Sequence, residues 1–173
     1  MISARVFSKE NNVVGPEHDH MALIATINSK AYLVDVGFGD FSLYPLVLEL
    51  NVIQKDPGGD FRIERYDDEY LMVAKTNQST SSPKYLFSTK ERSIEEFYEM
   101  CTYHQTNIKS HFTHKLICSL ATVNGRIIIT GKTYKKTVDG ITSEHNLKDE
   151  EELRQIFLND FKMTIPLNPL LWL

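Results

Sequence analysis

The amino-acid sequence predicts an α+β fold built on a mainly antiparallel sheet or partly closed β-barrel. Three observations carry this. Strand-like runs rich in Val, Ile, Leu, Tyr and Phe outnumber helical stretches. Turn signals separate them closely: Asn28-Ser29, Asp56-Pro57-Gly58-Gly59-Asp60, Asp67-Asp68, Asn124-Gly125 and Asp139-Gly140. Only two segments carry a helical period, and they do not alternate with strands as in a doubly wound parallel sheet.

The elements follow in order. Ile2, Ala4 and Val6 open the chain in a strand pattern. Residues 21–37 (MALIATINSKAYLVDVG) read as a hairpin about Asn28-Ser29. A two-residue loop pairs Ile27 with Lys30, Ala25 with Tyr32 and Ala22 with Asp35, and makes His20 the diagonal neighbour of Asp35. Residues 47–54 and 61–74 read as strands, the second folded back at Asp67-Asp68. Residues 77–83 (NQSTSSP) read as a loop. Ser93 and Glu96 have capping-box spacing and begin a helix ending near residues 103–107, with Ile94, Phe97, Tyr98 and Cys101 on one face. Residues 112–123 and 126–130 form a hairpin about Asn124-Gly125, and residues 132–138 and 141–145 form another. Residues 149–161 form the last helix, with Leu153, Ile156, Phe157 and Phe161 facing inward. The expected division is a barrel-like domain at 1–82 and an α/β domain at 83–173, with its seam near residues 77–90.

Composition narrows the function. Of 173 residues, 42% are hydrophobic and 10% aromatic, enough for a packed core. The formal charge of −4 offers no cationic field for a nucleic-acid backbone or an anionic membrane. The longest apolar-looking run, Met21–Ile27, is too short to cross a bilayer, and the N-terminus has no secretory pattern. Two cysteines make no disulfide framework, so a cytoplasmic location is expected.

A His and an Asp at diagonal positions of a hairpin, with Cα atoms about 7–8 Å apart, lie within reach of a side-chain hydrogen bond. A carboxylate so placed fixes the imidazole tautomer and stabilises the imidazolium, freeing the other ring nitrogen to activate a nucleophile. His20 and Asp35 fit that use. They also fit a plainer one, a polar His on a solvated face beside an Asp that ends a strand. An Asp between Val34 and Val36 needs a donor if buried, which favours the pair. Cys101 and Cys118 both read as small buried hydrophobes on apolar faces rather than as the nucleophile. A thiol hydrolase using either is the weaker alternative. Cys101, His104, His111, His114 and Cys118 carry zinc-type atoms, but their spacing forms no tight knuckle, and no metal is expected. The His18-Asp19-His20 run is likewise too sparse for a ligand set. Gly37-Phe38-Gly39 lacks a phosphate-loop pattern and marks a tight departure from the sheet. Phe38 is placed to wall an aromatic pocket beside the pair, or to serve as an ordinary core residue.

The run His20-Met21-Ala22-Leu23, followed by Tyr32-Leu33-Val34-Asp35-Val36-Gly37-Phe38-Gly39, resembles the arylamine N-acetyltransferase family. Ala4-Arg5-Val6, Phe112-Thr113, Ile117-Cys118-Ser119-Leu120 and Asn124-Gly125-Arg126 extend the resemblance over nearly the whole chain. The resemblance implies a cysteine-proteinase-like fold of a helical domain, a β-barrel and an α/β lid. It implies acetyl transfer from acetyl-CoA to arylamines, arylhydrazines or hydrazides by ping-pong chemistry on a Cys-His-Asp triad. His20 then corresponds to the base, Asp35 to the residue that orients it, and Phe38 to a position lining the acceptor pocket.

One departure governs the mechanism. The family's nucleophile lies in an Arg-Gly-Gly-x-Cys motif, and no Arg-Gly-Gly occurs in these 173 residues. Cys101 and Cys118 both follow the Asp and match no nucleophile position. The resemblance therefore implies a barrel and lid without the thiol-bearing helical domain. The expectation is a chain inactive alone, with an exposed apolar face, whose origin is a truncated product, the second half of a split protein or an incomplete gene reading. The alternative is a non-catalytic remnant, structural or binding CoA or aromatic compounds, or the partner of a separate N-terminal fragment.

Overall fold

The computed structural model describes residues 1–8, 13–77, 79–139 and 141–165. Two compact units divide between Thr102 and Tyr103. The first holds seven strands: β1 (Ile2–Val6), β2 (His20–Ile27), β3 (Lys30–Val34), β4 (Leu46–Val47), β5 (Asp60–Arg65), β6 (Leu71–Thr76) and β7 (Ser81–Phe87). They form one antiparallel sheet in the order β4-β3-β2-β1-β7-β6-β5. Bridges from Leu50 to Ile63 and from Gln54 to Phe61 carry the chain after β4 onto β5. The two edges are thereby nearly joined, and an α+β fold with a barrel-like sheet results.

The β2–β3 hairpin has the expected register, Ile27 opposite Lys30 and Ala25 opposite Tyr32. Asn28 and Ser29 make its turn with φ of 50° and 62°, the left-handed conformation that tight hairpins use and Asn tolerates. Pleat alternation then sends Ala22 and Leu33 into the core with Phe41, Phe61, Ile63, Val73, Tyr85 and Phe87. Each large apolar side chain fully buried here contributes about 1.5–3 kcal/mol.

Two expectations need correction in this unit. Residues 47–54 are not one strand: β4 ends at Val47, and Asn51 turns left-handed (φ 63°). The expected loop at 77–83 is strand from Ser81 onward. Pro83 is tolerated there because the register slips beside it. Tyr85 faces Val73 and Pro83 faces Ala74, leaving Lys84 as the extra residue of a bulge. The expected division at 82/83 runs through β7, which lies between β1 and β6 inside the sheet.

After the sheet, Glu96 accepts a hydrogen bond from the Ser93 backbone N–H at 2.8 Å, as a capping box requires. A 3-10 turn at Ile94–Phe97 runs into α1 (Tyr98–Thr106). The apolar face expected there is not buried as a whole: Phe97 is buried, whereas Ile94, Tyr98 and Cys101 are exposed. Cys101 is thus no buried hydrophobe.

The second unit holds β8 (Ile117–Thr122), β9 (Gly125–Thr130), β10 (Thr133–Val138) and β11 (Ile141–Asn146), paired in chain order. The strand expected from residue 112 begins only at Ile117, after a 3-10 turn at His111–Thr113. Gly125 is not a turn residue. It pairs with Thr122 and opens β9, and Val123 and Asn124 make the loop. A Cβ at Gly125 would lie 1.9 Å from the Thr137 carbonyl oxygen, so the close approach of β10 demands glycine. The turn between β10 and β11 keeps Asp139 left-handed (φ 50°), while its Gly140 lies outside the described residues. Helix α2 (Glu150–Asn159) starts at Asp149, whose carboxylate accepts the Glu152 N–H at 2.8 Å. Leu153, Phe157 and the following Phe161 pack on Ile127, Ile129 and Tyr134, as the helical period predicts.

Candidate active site

His20 opens β2, and Asp35 follows the last residue of β3. The hairpin register leaves them diagonal to each other. His20 Nε2 lies 2.7 Å from Asp35 Oδ2. The imidazole is 15% exposed and the carboxylate is wholly buried. The other carboxylate oxygen, Oδ1, accepts the backbone N–H groups of Gly37 and Phe38, each at 2.9 Å. One carboxylate thus holds both the imidazole and the loop that leaves the sheet. Gly37 also leaves room for the ring, since a Cβ there would press on His20 Cε1 at 3.3 Å.

Three aromatic rings complete the surroundings. Phe38 meets His20 edge-on with ring centroids 5.5 Å apart, and Tyr85 lies tilted at 5.6 Å. Phe41 stacks on Tyr85 at 5.5 Å. Burial, reinforced by the Asp35 charge, raises the Tyr85 phenol well above its ordinary range and keeps it protonated. Burial pushes the Asp35 carboxyl upward too, but the His20 contact and then the Phe38 and Gly37 amides outweigh it and leave it lowered.

The approach to His20 is also tied down. Arg5 Nε donates to the Gly15 carbonyl at 2.8 Å, and the His18 N–H donates to Ser3 Oγ at 2.8 Å. Ser3 Oγ and the Tyr70 hydroxyl donate to the two oxygens of Glu17. His18 itself is left-handed (φ 62°) and lies edge-on to Phe97, not toward the pair.

The remaining candidates have other settings. Cys101 is exposed on α1, and burial raises the Cys118 thiol, the reverse of what a nucleophile needs. Among the described residues no three His, Cys, Asp or Glu side chains gather as metal ligands. His104 turns to Ser110 Oγ at 3.4 Å, and His114 Nε2 meets the Ile108 carbonyl. Among the described residues no helix is long and apolar enough to cross a membrane.

Acid should weaken this unit. Asp35 and Asp40 both have lowered carboxyl pKa values in the fold, while unfolded aspartates titrate near ~3.9. The unfolded chain therefore binds more protons as pH falls below about 4, and the stabilisation from these groups is lost through their folded pKa values. Urea melts should show it fully present at pH 5–7, about 1–3 units above that unfolded value, and falling steadily below it.

Comparison with known proteins fixes the family. Residues 1–170 match the N-acetyltransferase family model. This chain belongs to the arylamine N-acetyltransferase family. It is 31% identical to the arylamine N-acetyltransferase pineal gland isozyme NAT-10 of Gallus gallus, over 95% of this chain and 64% of that protein. It is 30% identical to arylamine N-acetyltransferase 1 of Homo sapiens, over 95% of this chain and 65% of that protein. The fold superposes on the Salmonella typhimurium arylamine N-acetyltransferase with a TM-score of 0.83 at 20% identity, covering 92% of this chain and 59% of that one. It superposes on the Mycobacterium marinum enzyme in complex with CoA with a TM-score of 0.82 at 22% identity, covering 93% and 60%. The chain thus spans less than two thirds of the length of these arylamine N-acetyltransferases.

The sequence pointed to the His20–Asp35 contact and to Phe38 beside it. It missed Tyr85, Glu17 and the partners of Asp40. Tyr85 sat in the stretch Lys84-Tyr85-Leu86-Phe87, whose signal was an apolar run directly after the loop-like Ser81-Ser82-Pro83.

Proposed function

We propose that His20 and Asp35 are the base and orienting carboxylate of a thiol-dependent acetyl transfer from acetyl-CoA to an arylamine or arylhydrazine nitrogen. Phe38 lines the acceptor side, and the thiol comes from polypeptide outside these 173 residues, such as a separate N-terminal fragment. The observation that carries this is the 2.7 Å contact between Nε2 and a buried carboxylate. With Asp35 ionised, the ring proton sits on Nε2, and Nδ1 is left as the acceptor.

The steps balance on that assignment. Nδ1 takes the proton of an incoming thiol, and Asp35 stabilises the imidazolium. The thiolate attacks the acetyl thioester of acetyl-CoA, a new thioester forms and CoA leaves as the thiol after regaining a proton from His20. The amine nitrogen then attacks the acetylated thiol, forming an amide. The nitrogen's proton returns through His20 to the departing sulfur.

On this reading the chain alone turns over nothing. Incubated with acetyl-CoA and an arylamine, the purified 173-residue polypeptide should form no acetylated arylamine, and wild type and His20→Ala should be indistinguishable. Intact-mass analysis should find no acetyl adduct on Cys101 or Cys118 that depends on His20. Turnover abolished by His20→Ala would overturn the reading, because a cysteine within the chain would then be serving as the nucleophile.

A further inference from the structure

Phe38 lies in the loop between β3 and β4, residues 35–45, and three carboxylates pin that loop. Asp35 holds its start through the amides of Gly37 and Phe38. Asp56 holds its end, accepting the N–H groups of Leu43 at 2.8 Å and Tyr44 at 2.9 Å. Between them Asp40 reaches two lysines. Its Oδ1 lies 2.9 Å from Lys75 Nζ and its Oδ2 lies 2.6 Å from Lys84 Nζ.

These two lysines are not equivalent. The Lys75 side chain is 32% exposed, whereas that of Lys84 is 3% exposed. The β7 bulge turns Lys84 inward beside Tyr85, so its ammonium is withdrawn from water. A buried cation is tolerated only where an anion meets it. Burial alone would raise the Asp40 carboxyl, but the bonds from Lys84 and then Lys75 hold it well below the ordinary range. On either side of Asp40 stand Phe38, two residues before it and edge-on to His20, and Phe41, one residue after it and stacked on Tyr85.

We propose that Asp40 is a positioning residue: clasped chiefly by the buried Lys84, it fixes the loop that sets Phe38 against His20 and so shapes the acceptor wall of the site. The part about acceptor binding rests on the reading of Phe38 given above; the clasp itself does not. Lys84 dominates because its ammonium is withdrawn from water, whereas an ion pair made by a wetter lysine contributes little.

The test compares variants of the 173-residue chain by the nuclear Overhauser contact between the Phe38 and His20 rings. Wild type, Lys75→Met and the conservative Asp40→Glu should keep it. The double variant Asp40→Asn/Lys84→Met, which removes the clasp and the buried ammonium together, should lose it while the amide spectrum of β5 stays unchanged. Asp40→Asn alone removes the carboxylate that faces the buried Lys84 ammonium and should lower the melting temperature more than the double variant does. A double variant that melts earlier but keeps the ring contact would overturn the proposal, since the clasp would then serve stability alone. The kinetic arm uses the chain completed by a thiol-bearing segment. There the double variant should raise the KM for arylamine and leave the rate of thiol acetylation unchanged. Loss of the ring contact with no change in KM supports the clasp and counts against Phe38 as the acceptor wall.

Discussion

Asp35→Asn should lower acetyl transfer by the completed enzyme on the order of 10⁴-fold, the loss known for the same change in a serine-protease triad. The reason lies in how both carboxylate oxygens are used. Oδ1 accepts two backbone N–H groups, from Gly37 and Phe38, and only an oxygen can do that. An asparagine at this position must therefore keep its carbonyl toward the loop and turn its NH₂ toward His20. A donor facing Nε2 forces the ring proton onto Nδ1, the nitrogen proposed to accept from the thiol. The fold survives and the base is lost. Nitrogen-15 spectra of His20 in the chain alone should show the tautomer reversed. An unchanged tautomer in the variant would mean that Asp35 does not set it.

The second large effect concerns stability. Tyr85→Ala should cost about 3–5 kcal/mol, the range for truncating a large aromatic side chain in a packed core. Tyr85 is wholly buried, and its ring meets those of His20, Phe38, Phe41 and Phe87. Removing it opens a space beneath the imidazole and takes away the surface on which the Phe38 loop rests. Domains are stable by only ~5–15 kcal/mol, so the variant stands near its folding limit at ordinary temperature. Urea melts should show the midpoint fall accordingly. A loss below about 1 kcal/mol would show that this core repacks around the gap.

The β2–β3 register could be read because a two-residue loop with pleat alternation admits one pairing, and that pairing alone put His20 next to Asp35. Helix α2 was equally plain, since Leu153, Ile156, Phe157 and Phe161 repeat at helical spacing; Asp149, read as its first residue, caps it instead. The rest depended on contacts distant in sequence. Lys84 meets Asp40 across 44 residues and Tyr70 meets Glu17 across 53, and no local pattern announces either. The β7 bulge was hidden because Ser81, Ser82 and Pro83 read as loop, although Pro83 sits beside a register slip. Cys101 misled for a simpler reason. Its spacing with Ile94 and Phe97 matches a helical face, but in the structure that face buries little besides Phe97.

As proposed, the imidazole of His20 and the carboxylate of Asp35 form the base half of a site completed by a thiol from elsewhere. The most direct measurement supplies that thiol. A polypeptide carrying the Arg-Gly-Gly-x-Cys motif that the family resemblance implies is mixed with or fused to the chain. Arylamine acetylation is then followed with acetyl-CoA as donor. Turnover is expected only when both parts are present, and should be lost with His20→Ala on this chain or with the motif cysteine changed to alanine on the other. Turnover by the two parts together that survives His20→Ala would contradict the proposal.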